Sequence, residues 1–378
     1  MCGIIGITGR HTVAPLLIAG LKRLEYRGYD SAGIATLVNG EIQRRRAEGK
    51  IINLDILLEK RPIDGLVGIG HTRWATHGRP NEINAHPHAD KNVVLVHNGI
   101  IENFQELRQE LTDKGHHFET DTDTEAIVHL VSSFLTKGNS PQESVSLTLS
   151  RLEGAFSLAI LFAGYDGLII GARRGSPLAV GYGEGEMYLG SDAIALAPLT
   201  QKICYLEEGD WVELLPESAV IHANNGTIVN RPICQSSVSE DPNNKGNFEH
   251  FMLKEIYEQP TVIGDTLNTL FNPWKRTVTL PELTFNLGKI SRITIIACGT
   301  SFHAGLVAKY WFEKVSDVPV ECDLASEFRY REARMPKDGL AIFVSQSGET
   351  ADTLAALRYA KSQKQHTLAL VNVAESSM

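Results

Sequence analysis

A polar segment at residues 235–246 divides this 378-residue chain into two parts with different hydrophobic patterns. Its Ser, Glu, Asp, Pro and Asn residues bury little apolar surface, which is typical of a linker. Before it, short β-rich runs at 33–38, 66–71, 93–97 and 156–162 dominate, with helical periodicity at 13–25 and 101–114. We therefore expect an α+β layered domain at residues 1–235, a linker at 236–250 and a second domain at 251–378.

Beyond residue 290 the pattern alternates between strands and helices. Strand-like runs at 292–297, 318–324, 340–344 and 367–373 are interspersed with helical patterns at 302–315 and 350–362. Such alternation predicts an α/β domain with a parallel sheet, whose strand-to-helix turns meet at the edge where such sheets bind ligands. We expect this domain to be incomplete at the C-terminus, because the sequence stops directly after a strand.

Composition and charge argue against several classes of partner. The formal net charge of -9 and the pI near 5.8 show no basic stripe for nucleic acid or anionic lipid. The five cysteines are odd in number and lack a C-x-x-C pair, which favours a reducing compartment. No apolar run approaches the ~18 residues of a membrane span, and the N-terminus lacks signal-peptide features. The sequence therefore predicts a soluble cytoplasmic protein with no nucleic-acid or membrane partner.

Cys2 stands directly behind the initiator methionine, in the run Met-Cys-Gly-Ile. Once Met1 is removed, Cys2 carries both a thiol nucleophile and an α-amine of near-neutral pKa. The residue could then attack a carboxamide without help from a distant histidine. The alternative is that Cys2 is a small apolar start to a buried strand. If Met1 is retained, the Cys2 nitrogen is an amide and cannot act as a base.

The dipeptide Asn98-Gly99 follows the apolar run at 93–97. In that position an Asn side-chain amide and a Gly backbone N–H would stabilise a tetrahedral oxyanion. The same dipeptide is also the strongest short signal for a type I′ hairpin turn. The sequence leaves both interpretations open.

The segment HTRWATHG at residues 71–78 concentrates a guanidinium, an indole and two imidazoles. Arg73 suits capture of an α-carboxylate and Asp123 suits an α-ammonium, so together they would bind a free amino acid. The alternatives are a surface ion pair for Arg73 and a helix N-cap for Asp123. The nearby histidines, His86 and His88 among them, match no metal-ligand spacing, so we predict no metal site.

Two hydroxyl-rich turns lie in the second part, at residues 298–301 and 345–350, each after a strand and before a helix. Backbone N–H groups and hydroxyls at a positive helix end suit a phosphate monoester. The glycine signatures of dinucleotide-binding and P-loop proteins do not occur. The alternative is plain helix capping by Ser and Thr.

Taken together, these motifs resemble the glutamine–fructose-6-phosphate aminotransferase (isomerizing) family along essentially the whole chain. Met-Cys-Gly-Ile, EYRGYDSAG (25–33), HTRWATHG (71–78), NAHPH (84–88) and HNGIIEN (97–103) resemble class II, N-terminal-nucleophile glutaminases. KEIYEQP (254–260), CGTS (298–301) and SQSGETADT (345–353) resemble the first lobe of a sugar isomerase (SIS) domain. The resemblance implies an αββα glutaminase sandwich at 1–235 and a partial SIS domain at 251–378.

The resemblance also implies roles for individual residues. Cys2 would be the nucleophile with its own amine as base, Asn98 and Gly99 would form the oxyanion hole, and Trp74 would gate an ammonia tunnel. The residues that would hold glutamine are Arg73, Thr76, His77, Gly99 and Asp123. Those that would hold fructose 6-phosphate are Thr300, Ser301, Ser345, Gln346, Ser347 and Thr350. The family makes glucosamine 6-phosphate for amino-sugar synthesis, uses no metal or organic cofactor, and is typically homodimeric in its full-length members.

Family members carry a second SIS lobe and a C-terminal tail, which supply the groups for ring opening and isomerisation. We expect both to be missing from this sequence, so that the chain retains glutaminase but not synthase activity. Three rival hypotheses are a different amidotransferase built on the same glutaminase, a non-catalytic sugar-phosphate sensor, and a scaffold or oligomerisation module.

Overall fold

The computed structural model describes residues 2–25, 28–75, 78–236, 248–272, 276–278, 280, 283–373 and 376–378, without the side chain of residue 268. Tertiary contacts divide the chain into two compact units, Met1–Glu240 and Asp241–Met378. The predicted linker at 236–250 lies mostly outside the described residues.

Unit 1 is built mainly from antiparallel strands flanked by helices. Its helices are α1 (Ala14–Leu24), α2 (Ile51–Lys60), α3 (Phe104–Asp113), α4 (Thr124–Thr136), α5 (Pro141–Leu149) and α6 (Ala193–Leu196). Its strands are β1 (Gly3–Thr8), β2 (Ser31–Val38), β3 (Glu41–Glu48), β4 (Val67–Arg73), β5 (His88–Ala89), β6 (Val93–Ile101), β7 (Gly154–Phe162), β8 (Ile169–Arg174), β9 (Ala179–Tyr182), β10 (Met187–Gly190), β11 (Lys202–Tyr205), β12 (Trp211–Leu215), β13 (Ser218–His222), β14 (Ile228–Val229) and β15 (Ile233–Gln235).

These strands form two stacked sheets, with the orders β15-β11-β9-β10-β1-β4-β2-β3 and β14-β13-β12-β8-β7-β6-β5. Successive side chains of a strand face opposite sides, so each central strand contributes to two cores. In β1, Ile4 joins the core between the sheets while Ile5 joins the core under α1 and α2. In β6, Val96 faces the inter-sheet core while Leu95 packs with residues of α3, α4 and α5. Helices thus cover both outer faces, which confirms the predicted αββα sandwich.

Unit 2 is built around a parallel sheet. Its helices are α7 (Phe251–Leu270), α8 (Gly299–Val315), α9 (Ala325–Phe328) and α10 (Ala351–Ser362), with a short 3₁₀ turn at Leu287–Lys289. Its strands are β16 (Phe271–Asn272), β17 (Thr277–Val278), β18 (Arg292–Ala297), β19 (Val320–Leu324), β20 (Gly339–Ser345) and β21 (His366–Val371). The sheet has the order β19-β18-β20-β21 with parallel pairing, and apolar residues of α8 pack on one face, those of α9 and α10 on the other. The predicted α/β parallel sheet is confirmed.

Several helices differ from the sequence prediction. The helix predicted at 101–114 begins only at Phe104, because β6 continues to Ile101. The periodicity predicts no helix at α5 or α7. Helix α5 starts with a Ser140/Glu143 capping box and a proline, but its β-branched residues weaken the helical signal. Pro260 lies inside α7, where proline normally argues against a helix. None of the described helices is long and apolar enough to cross a bilayer.

Candidate active site

Polar residues replace apolar ones at one end of the inter-sheet core. Along β4, Ile69 belongs to that core, and the two-residue repeat places His71 and Arg73 on the same face. Along β6, Val96 belongs to the same core and Asn98 follows two positions later. All three polar side chains are nearly inaccessible to solvent. The alternation of β4 and β6 therefore brings a histidine, an arginine and an asparagine together from the two sheets.

Cys2 is half-buried directly before β1. The Trp74 backbone N–H donates to the Cys2 Sγ at 3.2 Å, and the thiol lies 3.4 Å from the Trp74 carbonyl oxygen. Burial raises the pKa of the Cys2 thiol, although the Trp74 hydrogen bond and the Arg73 guanidinium lower it. The thiol is therefore protonated at rest, and a nucleophilic attack needs a base that takes its proton.

Asn98 and Gly99 lie inside β6, opposite Ser157 and Phe156 of β7. The hairpin-turn interpretation is therefore wrong, because the dipeptide continues a strand instead of reversing the chain. The Asn98 Nδ2 donates to the Cys2 carbonyl oxygen at 3.1 Å, which places the side-chain amide beside the thiol-bearing residue. Gly99 has a φ of +128°, a conformation that L side chains rarely adopt.

A cavity of about 20 Å³ adjoins Cys2, with room for roughly one water-sized group. Trp74, whose side chain is about half exposed, is one of the residues that line it. The described residues that line the cavity are Cys2, Arg73, Trp74, His86, His97, Gly99, Thr122, Asp123 and Thr124.

Arg73 and Asp123 are both buried at this cavity, so the surface-ion-pair interpretation of Arg73 is wrong. The Arg73 guanidinium donates to the carbonyl oxygens of Arg79 at 3.2 Å and Gly78 at 3.3 Å. Asp123 does stand at the N-cap of α4, but its side chain makes no capping hydrogen bond, and its Oδ2 instead accepts the Ile101 N–H at 2.9 Å. A buried cation and a buried anion on one cavity match the two charged ends of an α-amino acid.

Two predicted glutamine-binding residues, Thr76 and His77, lie outside the described residues. Conversely, the cavity includes residues to which the sequence analysis assigns no role there. The Thr124 hydroxyl lies 3.0 Å from His86 Nε2 and 3.1 Å from His97 Nδ1. The sequence did contain a signal for these residues, because both histidines lie in the motifs quoted above and Thr124 directly follows Asp123.

A cluster of histidines underlies the cavity. The His71 and His86 rings stack at 4.2 Å between centroids, and His88 meets His86 edge-on at 4.5 Å. Burial lowers the pKa of all three imidazoles, that of His71 to about 3. Across the described part of the chain, no group of three or more His, Cys, Asp or Glu side chains is suited to hold a metal ion.

Glu125 anchors the loop that carries Asp123 to the cavity. Its Oε1 accepts the Glu119 N–H at 2.8 Å, and its Oε2 accepts the Thr120 N–H at 2.7 Å and hydroxyl at 2.8 Å. Burial of the carboxyl raises the pKa of Glu125, but the His129 imidazole, whose Nε2 lies 3.6 Å from Oε1, and the hydrogen bonds from Glu119 and Thr120 outweigh this effect and bring the pKa to about 2. The loop conformation therefore depends on an ionised carboxylate.

We expect Glu125→Gln to remove an acid-sensitive contribution to stability. The folded pKa of about 2 lies below the value of about 4.3 for an unperturbed glutamate, so the carboxylate stabilises the fold above that value. This stabilisation is lost as the pH falls toward 2. Urea titrations at several pH values should show a variant that is less stable at neutral pH and declines less steeply in acid. Glu106→Gln, at an exposed position of α3, is the control and should keep the wild-type dependence of stability on pH. If the stability of the Glu125 variant fell with pH as steeply as that of wild type, the role assigned to the Glu125 carboxylate would be contradicted.

The hydroxyl-rich turns of unit 2 lie at the same edge of its sheet. Because β18 and β20 are adjacent parallel strands, the turns that follow them both reach the carboxyl edge. Residues 299–301 of the first segment already form the start of α8, while the second segment leads into α10, and neither helix has a side-chain N-cap hydrogen bond in the described structure. The capping interpretation is therefore wrong. The predicted residues at this edge are Thr300, Ser301, Ser345, Gln346, Ser347 and Thr350.

Internal hydrogen bonds define the second turn. The Ser345 Oγ accepts the Gly348 N–H at 3.1 Å and lies 3.2 Å from the Thr350 hydroxyl. The Ser347 Oγ accepts the Glu349 N–H at 3.2 Å. These bonds fix the conformation of the turn between β20 and α10.

Family models match both units. Residues 71–198 match the glutamine amidotransferase domain, and residues 286–378 match the SIS domain. Among solved structures, the glutamine phosphoribosylpyrophosphate amidotransferase from B. subtilis aligns with a TM-score of 0.55 over 98% of this chain and 81% of its own. At 18% sequence identity this similarity concerns the fold alone.

Curated relatives align with the whole chain. A glutamine–fructose-6-phosphate aminotransferase [isomerizing] from Bradyrhizobium diazoefficiens is 59% identical over 379 aligned residues, and one from Zymomonas mobilis is 57% identical over 378. Each alignment covers 100% of this chain but 62% of the relative. The chain thus spans about 62% of the length of these relatives. With both domain matches and this identity, the chain is similar along its whole length to glutamine–fructose-6-phosphate aminotransferases.

Proposed function

We propose that unit 1 hydrolyses glutamine to glutamate and ammonia, with Cys2 as the nucleophile. The observation that carries this proposal is the cavity that joins the Cys2 thiol to the buried Arg73 and Asp123. In this assignment the Arg73 guanidinium binds the glutamine carboxylate and the Asp123 carboxylate binds its ammonium group. Thr76, His77 and Gly99 complete the proposed glutamine site, and Trp74 closes it toward an ammonia tunnel.

The base in this proposal is the α-amine of Cys2 itself, freed when Met1 is removed. An α-amine has a pKa of about 7.7–8.0, close to the working pH, and so can take the proton of the buried thiol. The sulfur then attacks the carboxamide carbon, and the carbonyl π electrons move to the oxygen. The Asn98 Nδ2 and the Gly99 N–H are assigned as donors to that oxyanion.

Collapse of the tetrahedral intermediate breaks the carbon–nitrogen bond. The protonated amine returns its proton to the leaving nitrogen, so that ammonia departs and a thioester to Cys2 remains. Water, deprotonated by the same amine, then attacks the thioester, releasing glutamate and regenerating the thiol. Thiol and amine end each cycle in their starting protonation states.

Transfer of the ammonia to fructose 6-phosphate is the second half of the proposal. The curated relatives are named for this aminotransferase reaction. We assign sugar-phosphate binding to the carboxyl edge of the unit 2 sheet, where hydroxyls and N–H groups gather between β18, β20 and the helices that follow them. We expect phosphate recognition there, and the product would be glucosamine 6-phosphate.

Compartment and assembly belong to the same proposal. The five cysteines are all free, a state that a reducing cytosol would maintain. A homodimer, as the resemblance implies, is expected for the full-length protein, and analytical ultracentrifugation would measure it.

The experiment combines intact mass with glutamate release from glutamine, with and without fructose 6-phosphate, for wild type and Cys2→Ala. Mass reports whether Met1 is gone. We expect Cys2-dependent glutamate release from processed protein, reduced at least about 1,000-fold by Cys2→Ala. Formation of glucosamine 6-phosphate would support both halves of the proposal. Glutamate release without this product would restrict the activity of this chain to glutamine hydrolysis. No glutamate release from fully processed wild type would contradict the proposal and favour the sensor hypothesis.

A further inference from the structure

His71 connects the two sheets at the point where the candidate site lies. Its Nε2 is 3.0 Å from the His97 carbonyl oxygen and 3.0 Å from the Asn98 Oδ1, so a side chain from β4 reaches two groups of β6. The ring is fully buried and stacks on His86, which fixes its plane. In the proposed function this imidazole neither contacts glutamine nor transfers a proton.

The two contacts determine which nitrogen of His71 carries the proton. A backbone carbonyl oxygen only accepts hydrogen bonds, so the Nε2 facing the His97 carbonyl must be an N–H donor. The Nδ1 is buried and has no hydrogen-bond partner among the described residues, so a proton on this nitrogen would leave a buried N–H donor unsatisfied. The ring is therefore the neutral Nε2–H tautomer, and the depression of the His71 pKa to about 3 by burial agrees with this.

That tautomer in turn determines the orientation of the Asn98 amide. Opposite an N–H donor only the amide oxygen is tolerated, so Oδ1 faces His71 and Nδ2 faces the Cys2 carbonyl oxygen, at 3.1 Å. The flipped amide would set two donors against each other at His71 and two acceptors against each other at Cys2. One orientation of the amide is thus strongly preferred, and it places the donor group on the side of the nucleophile.

We propose that His71 is a positioning residue for glutamine hydrolysis: its neutral Nε2–H holds the Asn98 amide with the donor nitrogen toward Cys2. This inference rests on the proposed glutaminase function. His71 acts through Asn98, so its loss should affect stabilisation of the oxyanion and leave the binding of glutamine through Arg73 and Asp123 intact.

The test compares His71→Leu, which has no donor, with His71→Gln, whose side-chain NH₂ lies the same number of bonds from Cα as the imidazole Nε2. We expect His71→Leu to lower kcat by about 10- to 100-fold with KM changed less than about threefold, below the 10²- to 10³-fold loss of a whole oxyanion donor. His71→Gln should restore most of the turnover. In an Asn98→Ala background, His71→Leu should lower kcat less than about twofold, because residues that act through one another are not additive.

A second readout uses the aldehyde analogue of glutamine on processed protein. The Cys2 sulfur adds to the aldehyde carbon, the thiol proton passes to the α-amine, and the oxygen of the adduct occupies the oxyanion position. His71→Leu should weaken the binding of this analogue by about the same factor by which it lowers kcat, because the adduct contains an oxyanion. The affinity for glutamate should stay unchanged, because bound glutamate forms no such adduct. His222→Leu, which removes an imidazole bonded to Glu213 and stacked on Trp211, is the control and should affect neither ligand.

The inference would be overturned if His71→Leu showed wild-type kinetics. It would also be overturned if the Leu and Gln variants lost kcat equally while keeping normal thermal stability. If the Leu variant does not fold, the tautomer can be read from imidazole ¹⁵N shifts of histidine-labelled wild type, with His71→Gln for assignment. An Nδ1–H tautomer or an imidazolium at neutral pH would also overturn it. A wild type without glutaminase activity would refute the proposed function, while the tautomer measurement would still test the geometry.

Discussion

Asn98→Ala is expected to lower glutamine turnover by about 10²- to 10³-fold, with a much smaller change in KM. The reason is that its Nδ2, which donates to the Cys2 carbonyl oxygen, is assigned as the side-chain donor to the oxyanion, whereas the charged ends of glutamine are assigned to Arg73 and Asp123. An interaction made only in the transition state lowers kcat and kcat/KM together when it is removed. Steady-state glutamate release on fully processed protein measures both constants.

Asn103→Ala provides a matched control for this prediction. Asn103 follows β6 in the same motif, but its Nδ2 donates to the Arg151 carbonyl oxygen at 2.9 Å and its Oδ1 accepts the Glu153 N–H at 3.1 Å, so its amide is bonded to residues other than Cys2. We expect this control to lose some stability and to retain wild-type kcat. If Asn98→Ala turned over glutamine within about threefold of wild type, the oxyanion-hole assignment would be refuted.

Gly99→Ala is expected to destabilise unit 1 by about 2–6 kcal/mol, from a strained backbone and an overpacked contact of about 1–3 kcal/mol each. Gly99 has a φ of +128°, and a Cβ there would lie 2.0 Å from the Ala155 carbonyl oxygen and 2.9 Å from the Phe156 Cα. These are backbone atoms of β7, paired with β6, and cannot rotate away as a side chain would. The ladder has to open locally to admit the methyl group.

Gly115→Ala separates the two contributions to this effect. Gly115 also has a positive φ, +90°, but nothing lies within 4 Å of a Cβ built there. This control should therefore lose only about 1–2 kcal/mol, the cost of the backbone conformation alone. Thermal and urea unfolding of both variants measure the difference. Equal losses at the two glycines would show that the β7 backbone moves aside at little cost.

Hydrophobic periodicity predicted the parallel sheet of unit 2 closely, whereas in unit 1, which holds the candidate active site, it predicted only the strands β2, β4, β6 and β7 and the helices α1 and α3. The strand predicted at 292–297 has the same bounds as β18, and α8, α10, β20 and β21 lie within a few residues of their predictions. These elements can be predicted from local patterns, because one face of each is buried and the resulting hydrophobic repeat is visible in the sequence. Helix α7 has no buried face that the sequence could reveal, and its proline contradicts the local rule.

The Asn98-Gly99 dipeptide shows where local patterns fail. A turn and a strand interior differ in what lies opposite the two residues, and the partners, Ser157 and Phe156, are more than 50 residues away in sequence. The same limit applies to Arg73, which local charge patterning cannot distinguish from a surface residue. Its burial results from β4 lying in the middle of a sheet covered on both faces.

Residue types and short-range repeats were enough to predict the two-part organisation, the layered α+β and α/β folds, and the chemical groups of the proposed glutaminase. The meeting of Cys2, Arg73, Asp123 and Asn98 at one end of the inter-sheet core, and the bridge that His71 makes between the sheets, became visible only in the folded structure. The physical reason is that contacts between sheets arise from packing between distant strands, in which burial and hydrogen-bond satisfaction select one arrangement. The tautomer of His71 and the orientation of the Asn98 amide follow from that packing.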